Sequence, residues 1–331
     1  MPMRILLADT FPDHAVAALR RDGHEVSYQP DTTADALPDT VPGQDALVVR
    51  STKVTADTIA QSDLSVVIRA GSGTNTIDCD AATEHGVAVC NVPGRNAVAV
   101  AELAFALLLA LDRNVPDAVA DLRAGRWDKK RYAKARGILG RRIGVVGLGQ
   151  IGLAFAERAT AFGAHVYAVA KSSRPQHLTD RARAAGISFV DSIETLAETC
   201  DVLSLHVPAT DDTRHLVGRD LLARVQPGTF VLNTSRGDVI DEDALIEAMD
   251  TKGVRAGLDV FDGEPGQSTG TIDSPLARHP NVYGTHHIGA STEQAQHAIA
   301  DEVVHMIQEF ERGRLLHRVT PDTSLASVGR P

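Results

Sequence analysis

The chain carries Gly147-x-Gly149-x-x-Gly152 directly after an apolar run at 143–146 and directly before an amphipathic stretch at 151–162. Gly147 permits a tight turn, Gly149 lets backbone approach a pyrophosphate, and Gly152 lets a helix pack close to its strand. The N-terminus of that helix, with Gln150 and Ile151, then faces negative charge. Glycine-rich loops also occur without ligands, but strand before and helix after favour a dinucleotide site. Three later segments put reactive side chains just past apolar runs. Arg236 follows 230–233, Asp259 and Glu264 follow the run from Ala256, and His286 and His287 follow the run from Val282. Singly, each has a bland reading: a surface salt bridge, turn chemistry before Pro265, or packing beside a helix cap. Together, after a dinucleotide fingerprint and at strand ends where a switch-point cleft should lie, they are much harder to dismiss.

These residues need strand ends to hold them. Short unalternating apolar runs at 5–8, 46–49, 66–69 and 87–90 alternate with helical patterns near 12–21, 78–85 and 97–111. After Arg142 the alternation is clearer, with strands at 143–146, 166–169, 187–190, 202–206, 230–233, 256–260 and 282–285. Helices are expected at 151–162, 179–185, 192–199, 241–249 and 291–312. Such alternation gives parallel sheets covered on both faces. The expected fold is α/β, with two Rossmann-like doubly wound domains. The outer domain is discontinuous, 1–98 plus 287–318; the dinucleotide domain is 99–286; 319–331 is read as a mobile tail.

The second Rossmann strand usually ends in an acid that bonds the ribose 2′-OH. Here it ends in Ala170-Lys171-Ser172-Ser173-Arg174. Two cations and two hydroxyls suit a 2′-phosphate, so NADP is favoured slightly over NAD; the bland reading is a merely polar, basic loop.

The formal charge of −10 leaves no overall basic footprint for nucleic acid. A local basic run at Lys129, Lys130, Arg131, Lys134 and Arg136 reads as a solvated loop, or as an attractor of anionic ligand. Cys79, Cys90 and Cys200 have no metal-ligand spacing and read as reduced thiols, so the expectation is a cytoplasmic protein without metal. Residues 97–111 are apolar but short for a membrane span and are interrupted by Glu102. They read as a core or interface helix. Residues 1–9 form a short strand with an early Asp rather than a signal peptide.

The strings Val48-Val-Arg-Ser-Thr-Lys-Val-Thr55, Arg69-Ala-Gly-Ser-Gly-Thr-Asn-Thr-Ile-Asp78, Val92-Pro-Gly94 with Glu102, 233–245 and Ile288-Gly-Ala-Ser-Thr-Glu-Gln-Ala-Gln296 carry a resemblance. From residue 1 to about 315 the sequence resembles the D-isomer-specific 2-hydroxyacid dehydrogenases, and most nearly their D-3-phosphoglycerate dehydrogenase catalytic cores. The resemblance implies His287 as general acid–base, Glu264 as its partner, and Arg236 as binder of the 2-oxo-acid carboxylate. It implies Asp259 for the nicotinamide carboxamide, with His206, Val207, Pro208, Thr213, Thr234, Ser235 and Gly289 also around the cofactor. Backbone amides of Ser72 and Gly73 would take the substrate carboxylate, and Asn75 and Arg69 are further cleft candidates. Arg50 and Ser51 correspond to positions near a distal phosphate, though an interdomain salt bridge is the bland reading of Arg50. Family members commonly pair through the nucleotide domain, which implies a homodimer; ordinary core packing of 97–111 is the alternative.

Some positions depart from the pattern. His286 stands where the family usually has Pro, which adds a second titrating group beside His287. Ala170 replaces the acid of NAD-using members, and no regulatory ACT-type domain is expected after 315. The expected function is an NAD(P)-dependent D-2-hydroxyacid dehydrogenase of the D-3-phosphoglycerate dehydrogenase type, acting on 3-phosphoglycerate or a related small anionic acid, with neither nucleic acid nor membrane as partner. The alternatives are an NADPH-dependent glyoxylate or hydroxypyruvate reductase, a dehydrogenase of a phosphonate analogue, and a non-catalytic NAD(H)-sensing scaffold.

Overall fold

A computed structural model describes residues 2–265 and 269–321. The chain divides into two compact units. The first comprises Met1–Asn96, Pro265–Thr271 and Thr292–Pro331; the second comprises Ala97–Glu264 and Ile272–Ser291.

The first unit holds strands β1 (Arg4–Leu7), β2 (Glu25–Tyr28), β3 (Ala46–Val49), β4 (Val66–Arg69) and β5 (Ala88–Asn91), all parallel, in the order β2-β1-β3-β4-β5. Successive side chains point to opposite faces, and both faces are covered. Ile5, Leu7 and Val48 pack under α1 (Asp13–Arg21) and the helix Glu293–Glu311. Leu6, Leu47 and Val49 pack under α2 (Leu37–Thr40), α3 (Ala56–Ala60) and α4 (Cys79–Glu84). That explains why these strands read as unbroken apolar runs.

The second unit has α5 (Ala97–Arg113), α6 (Val115–Arg123), α7 (Gln150–Ala161), α8 (Gln176–Ala184), α9 (Ile193–Thr199), α10 (Arg219–Arg224) and α11 (Glu242–Lys252). Its strands are β6 (Arg142–Val146), β7 (His165–Val169), β8 (Ser188–Val190), β9 (Val202–Leu205), β10 (Phe230–Asn233), β11 (Arg255–Leu258) and β12 (Val282–Gly284). They form one parallel sheet in the order β12-β11-β10-β9-β6-β7-β8, with α5, α7 and α8 on one face and α9, α10 and α11 on the other. The order reverses between β6 and β9, and such switch points open a crevice at the strands' carboxyl ends. Local chemistry sets the boundaries. Asp241 accepts from the Ala244 amide at the start of α11, and Gly253 ends that helix at φ 66°.

Several expectations change. Strand β2 and helices α2, α3 and α6 were not anticipated; β2 is half-exposed and polar, so it lacks the apolar run that marks the other strands. Phe162 is exposed and caps α7 rather than joining its buried face. Residues 287–291, expected with the outer domain, lie in the second unit, because the amides of His287, Ile288 and Gly289 all bond Asp259. The expected mobile tail begins with fixed residues. The Val319 amide donates to Val89 O, and the Val89 amide donates to the buried Thr320 Oγ1. The remainder of that expected tail, 322–331, lies outside the described residues. Among the described residues, no helix is long and apolar enough to cross a membrane. Helix α5 is core of its own unit, with Ala101, Ala104, Leu108 and Leu111 fully buried.

The turn before β6 rests on a buried ion pair. Arg141 donates to Asp112 Oδ1 at 2.6 Å, with side-chain exposures of 6% and 1%, and the Gly137 amide donates to both carboxylate oxygens. Removing one partner of a buried pair strands the other charge. Asp112→Ala is therefore expected to cost about 3–5 kcal/mol in urea unfolding, and a loss below about 1 kcal/mol would show that Arg141 finds water or another acceptor.

Candidate active site

The glycine fingerprint folds because close approaches leave no room for a side chain. Gly147 takes φ 93°, and a Cβ there would lie 2.5 Å from His206 O; a Cβ on Gly152 would lie 2.0 Å from Gly147 O. A Cβ on Gly149 would meet nothing within 4 Å. Gly149 is also the N-cap of α7, and no side chain caps that helix start, where Gln150 and Ile151 form the first turn. This cradle fits a pyrophosphate.

Strand register lines up the next polar positions. Leu205, Asn233 and Leu258 are neighbours across β9, β10 and β11, so His206, Thr234 and Asp259 follow at successive strand ends. Among the described residues, His206 Nδ1 and Thr234 Oγ1 are buried without a hydrogen-bond partner, as groups awaiting a polar ligand would be. Ser204 Oγ lies 2.8 Å from His206 Nε2, and burial pushes the imidazole down to about 3, so it stays neutral. Beyond it, Thr213 Oγ1 donates to Pro208 O at 2.6 Å, folding the loop that starts at Val207. After β7, Lys171, Ser172 and Ser173 are exposed, whereas Arg174 is spent locally: it donates to Val169 O at 2.8 Å and lies over Phe189.

Arg236 leaves β10 through a turn built by Asn233, whose Nδ2 donates to Arg236 O at 2.8 Å and whose Oδ1 accepts from the Ser235 amide and hydroxyl. Burial pushes the Arg236 pKa down, and Glu264 and Asp238 oppose that shift. Gly237 presses against the next loop; a Cβ there would lie 2.2 Å from Phe261 C. That loop carries Glu264. Its Oε1 accepts from the Phe261 amide at 2.8 Å, and its Oε2 lies 2.6 Å from His287 Nδ1. Burial opposes ionisation of Glu264, but the bonds from His287 and Phe261 and the charge of Arg236 outweigh it and hold the carboxyl low. Both His286 and His287 are exposed, and the contact with Glu264 is made by His287.

Asp259 accepts hydrogen bonds from its own chain. It is 1% exposed; Oδ1 accepts from Thr285 Oγ1 at 2.6 Å and from the Ile288 amide, and Oδ2 accepts from the Gly289 amide at 2.8 Å. Its first task is to shape the loop that bears His287, which stands at φ 52°. Sequence reasoning missed Glu242, whose Oε1 accepts from the Asp262 amide and whose Oε2 accepts from Ser274. An acid in the first turn of a helix reads as dipole chemistry, and nothing in its spacing points to the Glu264 loop.

In the first unit, Ser72, Gly73 and Asn75 follow β4, and Asn91 Nδ2 donates to Ser72 O at 2.6 Å. Arg50 and Ser51 follow β3. In the basic run, Arg131 pairs with Asp121 and Arg136 with Asp201, while Lys129, Lys130 and Lys134 remain exposed.

Residues 105–289, more than half of the chain, match the family model described as D-isomer specific 2-hydroxyacid dehydrogenase, NAD binding domain. The chain belongs to this family. It is 40% identical over 320 residues to a D-3-phosphoglycerate dehydrogenase of Methanocaldococcus jannaschii, covering 96% of this chain and 59% of that one. It is 43% identical over 276 residues to a hydroxypyruvate reductase of Thermotoga maritima, covering 82% and 87%. A protein of known structure from Thermus thermophilus is 32% identical, with a TM-score of 0.84 over 96% of this chain and 100% of that one. The chain spans little more than half the length of several phosphoglycerate dehydrogenase relatives, such as 59% and 57%.

In this member of the family, the Glu264 carboxyl is held below its ordinary pKa. A carboxyl held below its ordinary value of 4.5 contributes stability above that value and loses it as pH falls through the folded value. The stability advantage over Glu264→Gln, followed by thermal melting, is expected to shrink on acidification below about pH 4.5. An advantage that grows on acidification below about pH 4.5 would contradict an ionised Glu264.

Proposed function

We propose that the protein is an NAD(P)-dependent D-2-hydroxyacid dehydrogenase acting on a small anionic 2-hydroxy or 2-oxo acid, of the phosphoglycerate type. The observation that carries this reading is the 2.6 Å contact of His287 Nδ1 with Glu264, beside a desolvated Arg236. The carboxylate fixes the proton on Nδ1 and leaves Nε2 to give or take one. In the reductive direction His287 protonates the C2 oxygen as the carbonyl becomes an alkoxide; in the oxidative direction it removes that proton. Arg236 binds the C1 carboxylate through its planar fork and polarises the carbonyl. The bound nicotinamide would supply or accept the hydride.

The loop after β7 favours NADP(H) slightly. No acid stands at Ala170, and the exposed Lys171, Ser172 and Ser173 can receive a 2′-phosphate. Arg174, already bonded to Val169 O, is the weaker candidate. A second reading is a hydroxypyruvate or glyoxylate reductase, favoured by the Thermotoga maritima relative, which this chain matches over most of both lengths.

Initial rates of NADH and NADPH oxidation with 3-phosphohydroxypyruvate, hydroxypyruvate and glyoxylate separate these readings. Faster turnover of the phosphorylated acid supports the first, and preference for the other two moves the assignment to the reductase. Silence on all three favours a non-catalytic scaffold. Arg236→Ala is expected to lower kcat/KM by roughly 10²–10³-fold while cofactor still binds. Unchanged turnover would remove Arg236 from the site.

A homodimer is the proposed assembly. Val115, Val119 and Leu122 are exposed on α6, and Trp127 and Leu139 are 82% and 83% exposed, more than a lone soluble unit usually leaves to water. Sedimentation is expected to give a dimer at micromolar concentration and a monomer for Leu122→Asp combined with Trp127→Glu. A wild-type monomer would overturn the assembly.

A further inference from the structure

The first unit has its own topological switch point. In the order β2-β1-β3-β4-β5 the connections reverse between β1 and β3, and a ligand crevice is expected at the carboxyl ends of those two strands. Leu7 pairs with Val48 and the Ala8 amide donates to Val48 O, so Asp9 and Arg50 leave neighbouring strands side by side. One oxygen of Asp9, Oδ2, accepts from the amides of Arg50 at 2.7 Å, Ser51 at 3.1 Å and Thr52 at 3.2 Å. Three successive amides converging on one point form a nest that binds anions. Here the chain's own carboxylate fills it.

We propose that Asp9 is a positioning residue for substrate recognition: by filling this nest it fixes the loop so that the Arg50 and Ser51 side chains read the substrate's distal phosphate. This rests on the phosphoglycerate-type reading above. The filled nest withholds its backbone donors from any incoming anion, so recognition passes to the guanidinium and the hydroxyl. Guanidinium also matches phosphate geometry better than scattered amides do. Burial pushes the Arg50 pKa down and Asp9 opposes that shift, so the same carboxylate favours the charged form of the side chain it positions. The bland alternative is that Asp9 merely caps a loop. A cap would change stability, or both substrates alike, and would leave selectivity alone.

The test compares KM and kcat of wild type, Asp9→Asn and Arg50→Ala for 3-phosphohydroxypyruvate and hydroxypyruvate. Loss of charge-assisted bonds in Asp9→Asn is expected to raise KM for the phosphorylated acid about tenfold, with KM for hydroxypyruvate and both kcat values within about threefold of wild type. Equal KM changes for the two acids, or a fall in kcat alone, would overturn the proposal. If Arg50→Ala abolishes selectivity for the phosphorylated acid and Asp9→Asn leaves it intact, this inference fails while the substrate reading stands. If Arg50→Ala leaves selectivity intact, or neither acid turns over, the substrate reading fails and takes the inference with it. Should Asp9→Asn not fold, Asp9→Glu, which moves the charge by one methylene, is read by the same ratio.

Discussion

Asp259 is almost wholly buried, and its carboxylate takes one hydroxyl and two backbone amides from the chain that follows β12. A buried carboxylate is tolerable only with such donors, so the loop and the acid hold each other in place. The backbone of the same residue joins in: its carbonyl accepts from the His287 amide, and its own amide donates to Asn233 O. Three strand ends are tied through one residue. His287 is thereby held in a left-handed conformation that a non-glycine residue adopts only when its surroundings compel it. The imidazole reaches Glu264 from that backbone, not from a relaxed one.

The first sheet uses the same device at its own strand ends. Asp9 gathers amides of the loop after β3 as Asp259 gathers amides of the loop after β12. In both cases a short side chain at the carboxyl end of a buried strand organises the loop of the adjacent strand. Parallel register makes this possible, because neighbouring loops emerge at one edge of the sheet. Side chains on longer stems lose more rotamer entropy in holding a loop so closely.

The alternation of apolar runs and helical patterns made the two parallel sheets legible, because strands buried on both faces have no polar positions. It failed at β2, whose exposed edge position permits Glu25 and Ser27, and at α6, which starts straight after a left-handed Asn114 instead of a recognisable cap. Arg236, Glu264 and His287 were legible as types at strand ends. Their partners were less so. The bonds of Asp259 to Thr285, Ile288 and Gly289 span some thirty residues and leave no local spacing to read. Asp9 was visible only as an early acid, because a contact across forty-one residues leaves no local spacing to read. Thr320 sat in a polar, proline-containing stretch, and only the pairing of Val319 with Val89 shows that the stretch begins as ordered chain.

The spacing of charge at the site follows from backbone packing. Gly237 lets the turn after Arg236 lie against Phe261 and Asp262, and Glu242 holds Asp262 from the other side. Arg236 and the Glu264 loop are therefore set by main chain, which does not relax as surface side chains do. On the proposed reading, this arrangement holds one cation in Arg236 and one anion in Glu264, with His287 able to add a positive charge. An alkoxide forming at C2 would stand next to the imidazolium as a new pair of opposite charges, and proton transfer from His287 neutralises both at once. That transfer moves no net charge out of the site, so the same arrangement serves both directions. Glu264, held ionised, keeps its contact with Nδ1, so the proton exchanged with the substrate is the one on Nε2.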